Sequence, residues 1–476
     1  MTELASLRLG LPLRAGDLEL AGRGVIVGIV DYGVDCLHPS IEQSVLAVLD
    51  DDANVVWQRD RELLPLDSLP ASLISDAKGH GTHIAASLVG RGAVRGVAPE
   101  ASLVVAKAGT DDRIVAAVEA IFELADQLQM PAVVNLSLGG QHSDGHDGAD
   151  GVSRRLDELA GAGRVVCAAA GNEGADWLKL HVAGTALPGQ LVEVPFVLTD
   201  SDNIPRGVPF DRDSCRVVGY TSSSAPMSVI LETNRPELSG GVRLPPGADM
   251  HLALEGMHLV MASTVDPLNG DFSFAIEWIS EWDGFKWESW SISLLSHADD
   301  PVDFHLWSRD ATGTFATATG VSRHQMVCSP ASARSVIAVG AVQDRALDGP
   351  GAPIRLWELS NWGPTRDGRV KPDLVAPGYE IVSVRSRQLE PPSDLSVMSA
   401  TGTSFAAPIV TGIVACMLEA RPTLDSIEVR ELLSWAAEMP VDAFREPDGW
   451  GAGEPSAARL SAFLGQAGPG EAGDPQ

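Results

Sequence analysis

The chain has 476 residues, enough for two or three domains, and 45% of them are hydrophobic, with 48 glycines and 31 prolines, the make-up of a large, loop-rich globular protein. Acidic residues outnumber basic ones 64 to 34, for a formal charge of −30. That balance speaks against nucleic acid or an anionic membrane as partner, favours solubility and attraction of basic substrates, and says nothing about fold.

The opening "MTELASLRLGLPLRAGDLEL" lacks the apolar core and cleavage site of a secretion signal, so the sequence as written predicts a cytoplasmic protein, secreted only if a leader has been trimmed. No stretch reads as long and apolar enough to cross a membrane. "GVIVGIVD" is a buried strand that ends in Asp31, and "GHGTHIAASLVG" is a turn entering a helix at His80. A second strand, "ASLVVAKAG", follows. Then "DDRIVAAVEAIFELADQL" places Ile114, Ala117, Val118, Ile121, Leu124 and Ala125 on one helical face. "PAVVNLSLGG" is a strand leaving into a glycine turn, and "RVVCAAAGNEG" repeats that design. Strands alternating with helices predict an α/β fold with a mostly parallel sheet covered on both faces, its sites gathered at the strands' carboxyl ends.

From about Leu178 to Arg323 the texture changes to short strands with period-two alternation, among them "LVEVPFVL", "MSVILE", "HLVMAS", "FSFAIEW", "SWSISLL" and "VDFHLW". This predicts an inserted all-β sandwich over 178–323 that splits the first domain into 1–177 and 324–464. Alternation then resumes with "SVIAVGAV", with "GTSFAAPIVTG" opening an apolar helix, and with "SIEVRELLSWAAEM". The tail 465–476, "GQAGPGEAGDPQ", is expected to be disordered. The five cysteines (Cys36, Cys167, Cys215, Cys328 and Cys416) are scattered, odd in number and without metal spacing. They fit a reduced compartment or a disulfide-free secreted protein.

Four residues at strand or helix ends carry reactive chemistry: Asp31 in "IVDYGVD", His80 in "GHGTHIAAS", Asn172 in "AAAGNEG" and Ser404 in "GTSFAAP". A serine alcohol is a poor nucleophile unless a base takes its proton, that base needs a carboxylate to fix its tautomer, and the oxyanion needs preplaced donors. With these neighbours and in the order Asp, His, Ser, the chain resembles the subtilisin-like serine protease family (subtilase, peptidase family S8) over residues 20–175 and 325–462. The resemblance implies a three-layer fold and a serine endopeptidase: Ser404 as nucleophile, His80 as general base and Asp31 as the orienting acid. It also implies an oxyanion hole from Asn172 and the Ser404 N–H. Ser137, Leu138 and Gly139, with Ala170 and Gly171, would bind an extended peptide or protein substrate by strand addition. No cofactor and no metal is expected, and the sequence leaves the oligomeric state open.

Other readings compete residue by residue. Ser404 alone fits a helix N-cap and Asp31 a strand-end cap. His83, near His80 on its helix, reads as a buried structural histidine, while Asp35 and His38 read as turn residues and "VKPDLVAPG" as structural. "GGQHSDGHDGAD" gathers His142, Asp144, His146, Asp147 and Asp150 in a metal-like cluster, but reads better as a polar loop with a helix cap. In "IEWISEWDGFKWESW", core packing is the favoured reading, with Trp290 in the sandwich core; the competing reading exposes Trp282 and Trp287, which flank a turn, for a partner or glycan.

The chain also departs from the family pattern. Asp31 arrives too early to leave room for an N-terminal propeptide, so either the sequence has been trimmed to its mature form or this branch is expected to fold without one, and "SLVGRGAVRGVAP" lacks the oxygen ligands of the calcium loop many relatives place there. The insert resembles the jelly-roll-like domain found between these motifs in some bacterial members, including germination proteases. A pseudoprotease or partner-binding protein using that insert is the alternative function, and a transferase or ligase on the same acyl-enzyme is a third.

Overall fold

A computed structural model describes all residues except 1, 61–64, 140–143, 201, 203, 205–210, 283, 318–319, 344–353, 390–395, 441–445 and 467–476. The central sheet is built from β1 (Ile26–Asp31), β2 (Val45–Leu49), β3 (Val55–Gln58), β4 (Ser102–Lys107), β5 (Ala132–Leu136) and β6 (Arg164–Ala169). Alternation along β1 decides which helix layer each side chain meets. Ile26 and Val30 pack with the helix Asp111–Leu128, whereas Val27 and Ile29 pack with the helices His80–Val89 and Thr403–Ala420. At Gly28 a side chain would run into Ile121 of the first of those helices, so only glycine lets helix and strand approach so closely. Asp31, two residues beyond Ile29, therefore belongs to the face covered by the His80 helix.

The same rule governs β5. Ala132, Val134 and Leu136 join one apolar cluster and Val133 the other, which leaves Asn135 and then Ser137 facing the helix Thr403–Ala420. That face explains two polar residues in an otherwise apolar run.

The insert consists of β7 (His181–Ala186), β8 (Leu191–Leu198), β9 (Ser214–Thr221), β10 (Met227–Thr233), β11 (Val242–Leu244), β12 (Asp249–Leu254), β13 (Met257–Val265), β14 (Phe272–Ser280), β15 (Glu288–Ser296), β16 (Val302–Ser308) and β17 (Gly313–Phe315). These form two antiparallel sheets, ordered β11-β10-β15-β8-β17 and β12-β13-β14-β9-β16-β7. One apolar core lies between them, with Phe196 stacked on Trp278 at 5.1 Å and Trp290 edge-on to Trp278 at 5.5 Å. Trp278 and Trp290 are thus buried, but core packing fails for Trp282 and Trp287, which flank the turn beyond the sheet and are exposed.

After the insert the chain returns to the first sheet with β18 (Ile337–Gln343), β19 (Arg355–Leu356) and β20 (Leu374–Pro377). The completed order is β19-β18-β6-β5-β1-β4-β2-β3, with β20 parallel beside β18 and only the two edge pairings antiparallel. The expected α/β subtilisin-like fold with a mostly parallel central sheet and an inserted β sandwich is the fold observed. All five cysteines are free and buried.

One expectation needs correction. The helix Thr403–Ala420 is long and apolar enough, by composition, to cross a membrane, but 83% of that window is buried inside the protein. Its apolarity comes from being sandwiched between the sheet and the His80 helix. The tail from residue 467 lies outside the described residues.

Candidate active site

Asp31 leaves the end of β1 only 1% exposed. Its two carboxylate oxygens lie 2.9 and 3.0 Å from His80 Nδ1, and Oδ1 also accepts the Tyr32 N–H at 2.7 Å. A carboxylate only accepts, so Nδ1 carries the proton and the lone pair is left on Nε2. Burial opposes the imidazolium, but the charge and hydrogen bond of Asp31, aided by the charge of Asp76, outweigh it and raise His80 above its ordinary value.

His80 is the first residue of α1 (His80–Val89). The N-cap, Gly79, has no side chain to cap with, and Asp76 does that work instead. Its Oδ1 accepts from the Lys78 and Gly79 N–H groups at 3.0 and 2.7 Å, and its Oδ2 from the Thr82 N–H and hydroxyl at 2.9 and 2.7 Å. Thr82 Oγ1 in turn accepts the Asp35 N–H at 2.9 Å, and Asp35, wholly buried, is gripped through both oxygens by Arg387. Asp76 escaped the sequence reading, although an aspartate just ahead of a glycine-led helix entrance was a legible cap signal.

Ser404 lies in α2 (Thr403–Ala420), whose N-cap is Gly402, so the serine is a helical residue and not the cap. Its N–H is one of the four that an α-helix leaves unpaired at its start. Four residues on, Pro408 has no N–H to give the Ser404 carbonyl. Ser137 fills that vacancy: its hydroxyl donates to the Ser404 carbonyl at 2.7 Å and accepts Asn135 Nδ2 at 2.9 Å. The Asn135 carbonyl oxygen accepts the Thr411 hydroxyl from the same helix at 2.9 Å. The Ser404 hydroxyl donates to the Ser137 carbonyl at 3.3 Å, and no hydrogen bond joins it to His80. The His80 ring sits edge-on to Phe405, the next residue, at 5.4 Å between centroids, so imidazole and serine share one neighbourhood.

Asn172 is tied to the same helix entrance. Its Oδ1 accepts the Thr403 N–H at 2.9 Å and the Thr403 hydroxyl at 3.0 Å. The Thr403 N–H can only donate, so the atom facing it is the amide oxygen, and Nδ2 is left with no hydrogen-bond partner among the described residues. Behind it, Asn361 donates to Glu173 Oε2 at 2.9 Å and accepts the Glu173 N–H at 2.7 Å. Gly171, at φ +110°, must be glycine, because a side chain there would collide with the Asn361 amide. Neither Thr403 nor the Glu173–Asn361 pair was singled out by sequence, since their partners are remote along the chain.

Of the residues expected to meet a peptide, Gly139 is exposed and Gly171 half-buried, whereas Ser137, Leu138 and Ala170 are buried. The side chains of Leu138 and Ala170 belong to the core, so only their backbones face the site. His83 is wholly buried, with Nε2 on the Ile381 carbonyl at 2.9 Å, and burial lowers it to about 4. In the histidine-rich loop, Asp150 caps α3 (Gly151–Leu159) through the Ser153 N–H at 3.0 Å. His146 is buried and stacked on Trp307 at 4.2 Å, and His142 lies outside the described residues. Among the described residues no group of three or more His, Cys, Asp or Glu is arranged to hold a metal. A buried carboxylate that orients an imidazole, a serine at a helix start and an amide N–H beside it can together transfer a proton and stabilise an oxyanion.

Comparison with known proteins agrees with this architecture. The subtilase family model matches residues 22–222 and 307–451, with the interruption inside the insert. The minor extracellular protease Vpr of Bacillus subtilis is 24% identical over 416 residues, which is 86% of this chain and 47% of Vpr. Serine protease AprX of the same organism is 33% identical over 154 residues, 31% of this chain and 34% of AprX. The chain thus matches less than half the length of either relative. Among solved structures, the CspB protease of Clostridium perfringens superposes with a TM-score of 0.74 at 22% identity, covering 94% of each chain.

Proposed function

The chain belongs to the subtilase family, and from that premise we propose that it is a serine endopeptidase acting on peptides or proteins. His80 Nε2 takes the proton of Ser404 as its oxygen attacks the scissile carbonyl, and Asp31 steadies the imidazolium that forms. Asn172 Nδ2 and the Ser404 N–H receive the developing oxyanion. His80 then returns the proton to the leaving amine, and a water molecule, activated by the same imidazole, releases the acyl group. The observation that carries this reading is the pairing of His80 Nδ1 with the buried Asp31, which leaves Nε2 as the basic nitrogen. The segment Ser137–Gly139, which leaves β5 beyond the end of β1, offers backbone for an extended peptide.

A fluorophosphonate probe tests the proposal. Labelling of Ser404, mapped by mass spectrometry and lost in Ser404→Ala, is the expected result. Folded protein that takes no label would sink it and favour the alternative, a partner-binding protein whose insert presents the exposed Trp282 and Trp287.

A further inference from the structure

Beside Gly139 opens a cleft of about 600 Å³, walled on one side by the start of the helix Asp111–Leu128 and on the other by Asp144, the Asp150–Val152 turn and Ser329. Its lining carries four carboxylates (Asp111, Asp112, Asp144 and Asp150) and one cation, Arg155, whose guanidinium is already paired with Glu158 and Glu119. The two inner carboxylates are half-used. Asp144, only 5% exposed, accepts the Ser329 and His146 N–H groups on Oδ2 at 3.0 and 3.3 Å, and its Oδ1 has no hydrogen-bond partner among the described residues. Asp150 accepts the Ser153 N–H and the Ser329 hydroxyl on Oδ1, while its Oδ2 is buried and unpartnered.

We propose that this cleft binds a lysine or arginine side chain of the substrate, with Asp144 Oδ1 receiving an N–H donor and the Asp150 carboxylate, its Oδ2 buried, adding its charge. This rests on the endopeptidase reading and adds a substrate class to it. A calcium ion needs six or more oxygens, and among the described residues no three of these carboxylates are arranged to hold a metal together. An ammonium or guanidinium brings a positive charge and several donors on a long apolar stem, which suits a cleft lined by carboxylates. Ile114 and Val152 line it where that stem would lie. Burial, then the charge of Asp150, raise Asp144 well above the ordinary carboxylate range, a penalty that a bound cation offsets. The arrangement is braced from behind: Arg366 donates to the Gly145 carbonyl at 2.7 Å and to Asp271 of the insert at 2.7 Å, and Asn269 of the insert donates to Asp147 at 2.9 Å. The insert therefore holds the loop that carries Asp144.

The test uses the full chain carrying Ser404→Ala and fluorescent peptides in which lysine replaces norleucine at one position at a time. Anisotropy should show at least tenfold tighter binding for lysine at one position, as a charge-assisted pair gives. That preference should shrink as salt is raised and fall toward parity in Asp144→Asn and in Asp150→Asn, both of which keep backbone-accepting oxygens. No lysine preference at any position overturns the proposal, even if the variants fail to fold. A preference that survives both folded variants overturns it too, as does stabilisation by calcium that both variants abolish without any lysine preference. Fluorophosphonate labelling of wild type reports separately on the hydrolase: label without lysine preference sinks only the cleft assignment, and preference without label sinks only the activity.

Discussion

Ser137→Ala is the substitution that most directly probes how the Ser404 helix is held. The Ser137 hydroxyl donates to the Ser404 carbonyl, to which Pro408 supplies no N–H, and it also receives Asn135 Nδ2. Removing it strands one part-buried carbonyl and one buried amide. At about 1–3 kcal/mol per orphaned group, with the carbonyl discounted for its partial exposure, the loss should be about 2–4 kcal/mol. Urea unfolding should show a lower midpoint with an unchanged slope. Pro408→Ala restores an N–H at the position that faces the Ser404 carbonyl. Its effect should therefore be more favourable by about 1 kcal/mol in the Ser137→Ala background than in wild type, a coupling that a double-mutant cycle isolates. Additive effects, or a Ser137→Ala protein within about 0.5 kcal/mol of wild type, would refute the reasoning.

Three further outcomes are expected. The acid limb of kcat/KM should have its midpoint above 6.5, because His80 is raised and only its neutral form accepts the Ser404 proton; Asp31→Asn should move that midpoint down, as measured by peptide hydrolysis from pH 5 to 9. Buried histidines should make stability decline below pH 6.5, against the opposite pull of His80 and Asp144, which are raised in the fold. Burial lowers His181 to about 3 and His83 and His305 to about 4, so between those values and 6.5 the unfolded chain binds protons that the folded one refuses. Urea midpoints at pH 7.5 and 5 check this, and a midpoint that rises on acidification would contradict it. Arg366→Ala leaves the carboxylates of Asp147 and Asp271 without their buried partner and should cost about 3–5 kcal/mol, seen as a lowered Tm; a loss under about 1 kcal/mol would mean that the insert is held elsewhere.

How much of this was legible in advance depends on the range of the interaction. The candidate set Asp31, His80, Asn172 and Ser404 was readable because each sits at the end of an element marked by local pattern: an apolar strand, a glycine turn, an apolar helix. Of the insert, six alternating runs were readable, while β7, β9, β11, β12 and β17 were not singled out: β11 and β17 have three residues each, and β9 is buried along most of its length and so shows little alternation. The exposure of Trp282 and Trp287 was equally undecided until the sheets were in place. Asp76 could have been found from its position ahead of α1; Thr403, Glu173 and Asn361 could not.

Period-two alternation by itself determined that Asp31, Asn135 and Ser137 lie on faces opposite their apolar neighbours, and the proline four residues after Ser404 determined that a carbonyl would be left open there. Only the tertiary structure decided what fills those places: His80 against Asp31, Ser137 against the Ser404 carbonyl, and Thr403 against the Asn172 amide oxygen. The reason is physical. Side-chain direction follows from local backbone geometry, which a short stretch of sequence specifies, whereas a hydrogen bond needs two atoms within about 3 Å, and chain segments hundreds of residues apart reach that distance only when the whole core has packed.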